Sequence, residues 1–194
     1  MYEKNFETAK ELYETCGLRW PRERHVDENG KMRLAENMAI WNGAVARMEA
    51  MPLWKGGAPG FDASRDPTQI QPNLVFLPAQ GADAPRGTVI IAHGGAFACH
   101  AGHEGFYTAY RFAEAGFNTA ILTYRLKPYG RRDAMADMSR AIRLLRARRG
   151  ALGITDKVAV LGFSAGGMLA GNCATHYDRG DETAADPVDI TERR

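Results

Sequence analysis

The stretch that most constrains the fold is KVAVLGFSAGGM, residues 157–168. An apolar run stops at Gly162, and Ser164 then stands between two small-residue gaps, Gly162-Phe163-Ser164-Ala165-Gly166. This is a G-x-S-x-G pattern, in which a serine occupies a sharp turn from strand to helix and the flanking glycines let the two elements approach closely. The flanks fit: Val158 to Leu161 reads as a buried strand, and residues 165–175 read as a helix. With only three serines and 21 glycines in 194 residues, composition alone predicts about 0.04 chance matches.

A strand feeding a helix through a tight turn requires neighbours of the same kind. Thr88 to Ala92 (TVIIA) is a continuous apolar run. Residues 104–115 then carry Phe106, Tyr110 and Ala113 on one helical face, with Gly116 as the stop. Residues 117–123 form the next strand. Residues 133–149 form a helix with Met135, Met138, Ile142 and Leu145 inward, ended by Gly150. Fully apolar strands alternating with amphipathic helices predict an α/β fold with a mostly parallel sheet covered by helices on both faces.

Upstream the pattern is looser. Phe6, Ala9, Tyr13 and Cys16 share one helical face, and Met38, Trp41, Val45 and Met48 share another between residues 36 and 50. These two helices are expected to cover the sheet. Residues 51–72, rich in proline and glycine, read as an irregular connection with no regular element. A short strand follows at residues 73–77, stopped by Pro78, and a turn spans residues 81–87. The chain divides into an N-terminal layer, residues 1–72, and an α/β core, residues 73–194, whose polar tail after Thr175 holds no further core strand.

A serine hydroxyl is a weak nucleophile and needs a base, an orienting acid and donors for a developing oxyanion. Donors can be proposed from the loop after the TVIIA strand, His93-Gly94-Gly95-Ala96-Phe97, whose small residues let backbone N–H groups approach a ligand atom. The N–H of Ala165, at the start of the helix after the serine, converges on the same place.

HGGAF, then TYRLKP at residues 123–128, then GFSAGG at residues 162–167 together resemble the α/β-hydrolase superfamily. The resemblance is to its hormone-sensitive-lipase-like and acetyl-xylan-esterase-like (BD-FAE-like) carboxylesterases, and it spans roughly residues 73–175. It implies that Ser164 is the acyl-accepting nucleophile, that Gly94, Gly95, Ala96 and Ala165 form the oxyanion hole, and that His93 supports the oxyanion loop. Ala96 stands where many members have a third glycine, which keeps the N–H but narrows the backbone angles. TYRLKP lacks the acidic and His-Pro residues that often follow in the hormone-sensitive branch, which favours the acetyl-esterase side.

In that superfamily the triad acid and then the histidine follow the serine. Here the single downstream histidine, His176, precedes every downstream carboxylate and lies about 18 Å along the same helix at ~1.5 Å per residue. It is not expected to serve Ser164. The chain is therefore expected to be the N-terminal part of such an esterase, ending after the elbow helix. Its sheet is expected to expose an apolar edge open to self-association.

Other features lead less far. Cys99, His100 and His103 lack a fourth ligand, so no metal is expected and they are read as polar residues at the pocket mouth. Arg131, Arg132, Arg140, Arg143, Arg146, Arg148 and Arg149 read as the solvated face of one helix. A net charge of +2 gives no basis for a nucleic-acid or membrane partner. Three scattered cysteines, no apolar leader and no apolar run of ~18 residues predict a cytoplasmic protein. The expected function is cleavage of small acyl esters, acetyl-sugar esters among them, without a cofactor. The alternatives are a non-catalytic binding protein on the same scaffold and a serine peptidase of the prolyl-oligopeptidase type, against which the absence of a propeller-like region speaks.

Overall fold

The computed structural model describes residues 43–65, 67–81, 86–176 and 179–191. Its centre is a five-stranded mixed sheet in the order β1-β2-β4-β3-β5. The strands are β1 Glu49–Pro52, β2 Asn73–Leu77, β3 Thr88–Ala92, β4 Asn118–Thr123 and β5 Val158–Gly162. The helices are α1 Gly102–Glu114, α2 Arg131–Ala147, α3 Arg149–Leu152, α4 Ala165–Thr175 and α5 Pro187–Ile190. β3 pairs in parallel with both β4 and β5, whereas β2 runs antiparallel to β1 and β4.

The apolar centres of the strands follow from the two faces they serve. Leu74, Phe76, Ile90, Ala92, Ala120 and Leu122 point to one face, against Ala134, Met138, Ala141 and Leu145 of α2 and Leu169 of α4. Val75, Leu77, Val89, Ile91 and Ile121 point to the other, against Phe106, Ala109 and Ala113 of α1. Successive side chains alternate across a strand, so burial on both faces keeps the strand centres apolar, and the buried polar residues Asn73, Thr88, Asn118, Thr119 and Thr123 fall towards the strand ends.

Four expectations need correction. The helix expected between residues 36 and 50 does not run its length: residues 43–45 are helical, and the chain is already extended in β1 from Glu49. The 51–72 stretch accordingly begins inside a regular element, although the rest of it is irregular. Val45 and Met48 are buried beneath the sheet as a helical face would require; the first expected helix, with Cys16, and Met38 and Trp41 of the second lie outside the described residues. Gly150 does not end the helix expected over residues 133–149: α2 stops at Ala147, and Gly150 lies within the short α3, which closes at Gly153, whose φ of 63° makes the left-handed stop.

The arginine run is not uniformly solvated either. Arg140 of α2 is only 3% exposed and forms ion pairs with Asp186 and Asp189 of the tail. Its Nε donates to the Leu53 carbonyl at 2.8 Å, and its guanidinium lies 4.8 Å from the Trp54 ring centroid. Arg148 pairs with Glu49 at 3.1 Å. Helical periodicity cannot separate a charged face from a face that buries one charge against carboxylates from distant sequence.

The irregular connection is held by the loop after β4. Tyr129 accepts from the Asp62 N–H at 2.7 Å and donates to the Asp62 carbonyl at 3.0 Å, while its ring stacks on Phe61. The Gln69 side-chain carbonyl accepts from the Leu126 N–H at 3.0 Å. β5, paired only with β3 among the described residues, presents partly exposed side chains along its length, and Met168 of the adjoining α4 is 51% exposed. No helix among the described residues is long and apolar enough to cross a membrane.

Candidate active site

Register decides the site. Ala92, the last residue of β3, is paired with Gly162, the last residue of β5, and with Leu122 near the end of β4. The loops leaving all three strands therefore emerge side by side at the carboxyl edge, where open α/β sheets place their ligands. The HGG loop and the serine turn, far apart in sequence, become neighbours.

The serine turn is built by contact between glycines. Ser164 has φ 48° and ψ −112°, an uncommon conformation for a residue with a Cβ, and stands at the N-cap of α4. A Cβ on Gly162 would lie 2.1 Å from the Gly166 carbonyl oxygen, and a Cβ on Gly166 would lie 2.2 Å from the Ala92 carbonyl oxygen. Strand and helix backbones thus touch directly, so the chain can reverse within two residues. Phe163 N–H donates to the Ala92 carbonyl at 3.1 Å and fixes the turn against β3.

The loop after β3 is equally tense. Gly95, Ala96 and Phe97 have φ of 125°, 54° and 57°, so two residues with side chains share the left-handed region. Bonds on either side hold them there: Ala98 and Cys99 N–H both donate to the Gly95 carbonyl, at 2.9 and 3.1 Å, and Lys127 N–H donates to the Phe97 carbonyl at 2.8 Å. The N–H groups of Gly95, Ala96 and Ala165 find no acceptor among the described residues. Strained backbone that leaves donors unbonded near a serine can receive an anionic oxygen.

His93 lies beneath this loop. It is buried, and its Nδ1 donates to the Ala101 carbonyl at 2.9 Å, which ties the end of β3 to the start of α1. A carbonyl can only accept, so the proton belongs on Nδ1. Burial depresses the imidazole pKa, and this outweighs the upward pull of that carbonyl and of Glu104. The ring packs against Gly105, where a Cβ would come within 2.1 Å of it. Tyr124 donates its hydroxyl to the His93 carbonyl at 2.7 Å. Burial chiefly pushes that phenol far above its ordinary range.

His100 does not stand at an open mouth as expected from sequence. It is buried, with its ring 4.8 Å edge-on to Tyr124 and 5.4 Å from His93. His103 is exposed. Among the described residues no three His, Cys, Asp or Glu side chains group as metal ligands. His176 sits at the opposite end of α4 from Ser164, with Nδ1 engaged by Thr175 Oγ1 and the Asn172 carbonyl.

Three participants escaped the sequence. Glu104 is one: its Oε2 accepts at 2.6 Å from the N–H of Gly94, the neighbour of the expected donors Gly95 and Ala96 in the oxyanion loop. Arg125, buried behind the site, forks onto Asp137 through Nε and Nη2 at 2.9 and 2.8 Å and reaches the Pro59 carbonyl through Nη1 at 2.6 Å. Asp137 also accepts from Trp54 Nε1 at 3.1 Å, so this pair anchors the loops on both sides of the sheet's carboxyl edge. None of these contacts leaves a local pattern in sequence.

Comparison with known proteins adds lineage to this geometry. Residues 75–188 match the family model BD-FAE. The acetyl ester-xyloside bifunctional hydrolase of Caldicellulosiruptor lactoaceticus is 33% identical, with a TM-score of 0.68 over 75% of this chain and 53% of that one. Endo-1,4-beta-xylanase B of Butyrivibrio fibrisolvens is 27% identical over 73% of this chain and 22% of its own length. The butyrate-bound Est2 esterase of Thermogutta terrifontis, 21% identical with a TM-score of 0.55 over 76% of this chain and 50% of that one, shares the fold. The chain spans about half the length of the solved structures and less than a quarter of the xylanase. Taken with the mixed sheet and the serine turn, these matches establish that the chain has the α/β-hydrolase fold and belongs to the BD-FAE family.

Proposed function

We propose that this protein belongs to a serine carboxylesterase that cleaves small acyl esters through an acyl-enzyme on Ser164. The observation that carries the reading is the meeting of Ser164, at φ 48°, with a left-handed loop whose Gly95 and Ala96 N–H groups find no acceptor among the described residues. In the reaction the Ser164 oxygen bonds to the ester carbonyl carbon, and the charge forming on the carbonyl oxygen falls to Gly95, Ala96 and Ala165. The ester C–O bond then breaks and the alcohol leaves with a proton. Water reverses the sequence and frees the acid. The base that carries the proton is not assigned, since no imidazole bonds to Ser164 among the described residues.

Acetyl esters of sugars are the proposed substrate class, supported by the similarity to an acetyl ester-xyloside hydrolase and a xylanase. A cytoplasmic setting is supported by Cys99 and Cys173, which form no disulfide among the described residues. The unassigned base favours one second reading, a binding protein that keeps the pocket without turnover. Hydrolysis of a p-nitrophenyl acyl series separates the two. We expect the acetyl ester to be preferred and Ser164→Ala to abolish it by three or more orders of magnitude, in the range of nucleophile removal elsewhere. Acetyl-ester binding with no Ser164-dependent turnover, by this chain and by any continuation its reading frame encodes, would favour the binding protein.

A further inference from the structure

Glu104 lies in the first turn of α1, and its carboxylate turns away from the helix to accept the Gly94 N–H at 2.6 Å. Its side chain is only 19% exposed, and its nearest cationic candidate is His103, 3.9 Å away and largely in solvent. A mostly buried carboxylate is costly without strong partners, so a short charge-assisted bond to one particular backbone N–H is a specific arrangement. The place of that bond matters. A Cβ on Gly94 would lie 2.9 Å from Glu104 Oε2 and 3.1 Å from Ser164 Cβ. One glycine therefore separates the carboxylate from the serine, and no side chain fits between them.

From this geometry we infer that Glu104 is a positioning residue: it clamps Gly94 and thereby aims the next two N–H groups, of Gly95 and Ala96, at the Ser164 oxyanion. Two further bonds share the load. Gly94 accepts from Ala101 N–H at 3.1 Å, and His93 Nδ1 reaches the Ala101 carbonyl, so loop and helix start are laced three times. The Glu104 bond fixes the N–H side of the His93–Gly94 peptide, whose carbonyl accepts from Tyr124, and so orients Gly94 itself, while Ala101 N–H holds the carbonyl of the next peptide, whose N–H is that of Gly95. The carboxylate itself takes the Gly94 donor out of the oxyanion pocket and leaves two loop donors and Ala165. This inference rests on the reading of Ser164 as nucleophile.

The test uses Glu104→Ala and Glu104→Gln, with 15N-labelled protein and p-nitrophenyl acetate. In wild type the Gly94 amide proton is expected well downfield and protected from exchange. Glu104→Ala should move it upfield, speed its exchange and shift the Gly95 and Ala96 amides, while β5 amides stay in place. With turnover, kcat should fall about 10- to 100-fold, the effect of misplacing reacting groups by about an ångström, and KM should change less than about threefold. Glu104→Gln keeps an acceptor and should restore most of kcat, with the Gly94 proton moved upfield by the lost charge yet still protected. Unmoved Gly94, Gly95 and Ala96 amides in either variant, or equal kcat in wild type and Glu104→Ala, would overturn the inference. If wild type, with any continuation its reading frame encodes, shows no Ser164-dependent turnover, the esterase reading fails, and the amide shifts still decide whether Glu104 holds the loop.

Discussion

Arg125 and Asp137 form a buried, forked ion pair at 2.8 and 2.9 Å that joins the end of β4 to the inner face of α2. Burial pushes the Asp137 carboxyl pKa up, while Arg125 and the Trp54 indole N–H pull it down. Removing Asp137 leaves the buried Arg125 charge with only the half-exposed Asp133 carboxylate, 3.5 Å away, as a counter-ion. Asp137→Ala should therefore destabilise the protein by about 3–5 kcal/mol, the cost of breaking a buried pair. Urea denaturation at neutral pH checks this, and a loss under about 1 kcal/mol would show that water reaches Arg125.

Two substitutions of glycine by alanine in the same part of the chain should have opposite signs. A Cβ on Gly166 would meet the Ala92 carbonyl oxygen at 2.2 Å, whereas a Cβ on Gly171 of α4 meets nothing within 4 Å. Gly166→Ala should push α4 off β3 and lower stability by more than about 2 kcal/mol, as overpacking against backbone does. Gly171→Ala should raise stability by about 0.5–1 kcal/mol through helix propensity. Paired thermal melts distinguish the two, and equal shifts would contradict the contact between the serine turn and β3.

The tail is fastened through Asp186, which caps α5 by accepting from Val188 N–H at 3.0 Å and pairs with Arg140. These bonds, the capping one foremost, hold its carboxyl below the usual carboxylate range. A carboxylate with a depressed folded pKa contributes fully above its unfolded value of about 3.9, and the contribution fades as pH falls toward the folded value. Asp186→Asn keeps a capping oxygen and removes the charge. It should cost about 1 kcal/mol at pH 7, since the carboxylate is a third exposed and screened by water. The gap to wild type should narrow as the pH falls below the ordinary carboxylate range and close once Asp186 is protonated in the folded protein too; a gap that persists in acid would mean that the charge of Asp186 is not what fastens the tail.

What the sequence revealed about the site is what local backbone contact determines. Gly162, Ser164 and Gly166 announce the turn because the contact they permit is made within five residues, and HGGAF marks the loop because its glycines must accept close neighbours. The apolar runs of β3, β4 and β5 gave both sheet faces. β1 was hidden because Met48 continues the helical spacing of Met38, Trp41 and Val45 up to the point where the chain becomes extended. Arg140 and Glu104 were hidden for another reason. Each is an ordinary helix-surface residue by spacing, and only the arrival of Asp186 and Asp189 on one, and of Gly94 on the other, makes it a buried charge.

The central claim is that Ser164 is the acyl-accepting nucleophile. Its most direct test is peptide mass mapping after incubation with a fluorophosphonate, using the protein with any continuation its reading frame encodes. We predict one phosphonyl adduct, on the peptide containing Gly162 to Gly166, absent in Ser164→Ala and slowed by a competing acetyl ester. A folded protein with Ser164 unlabelled, or with the adduct on Ser64 or Ser139, would contradict the account.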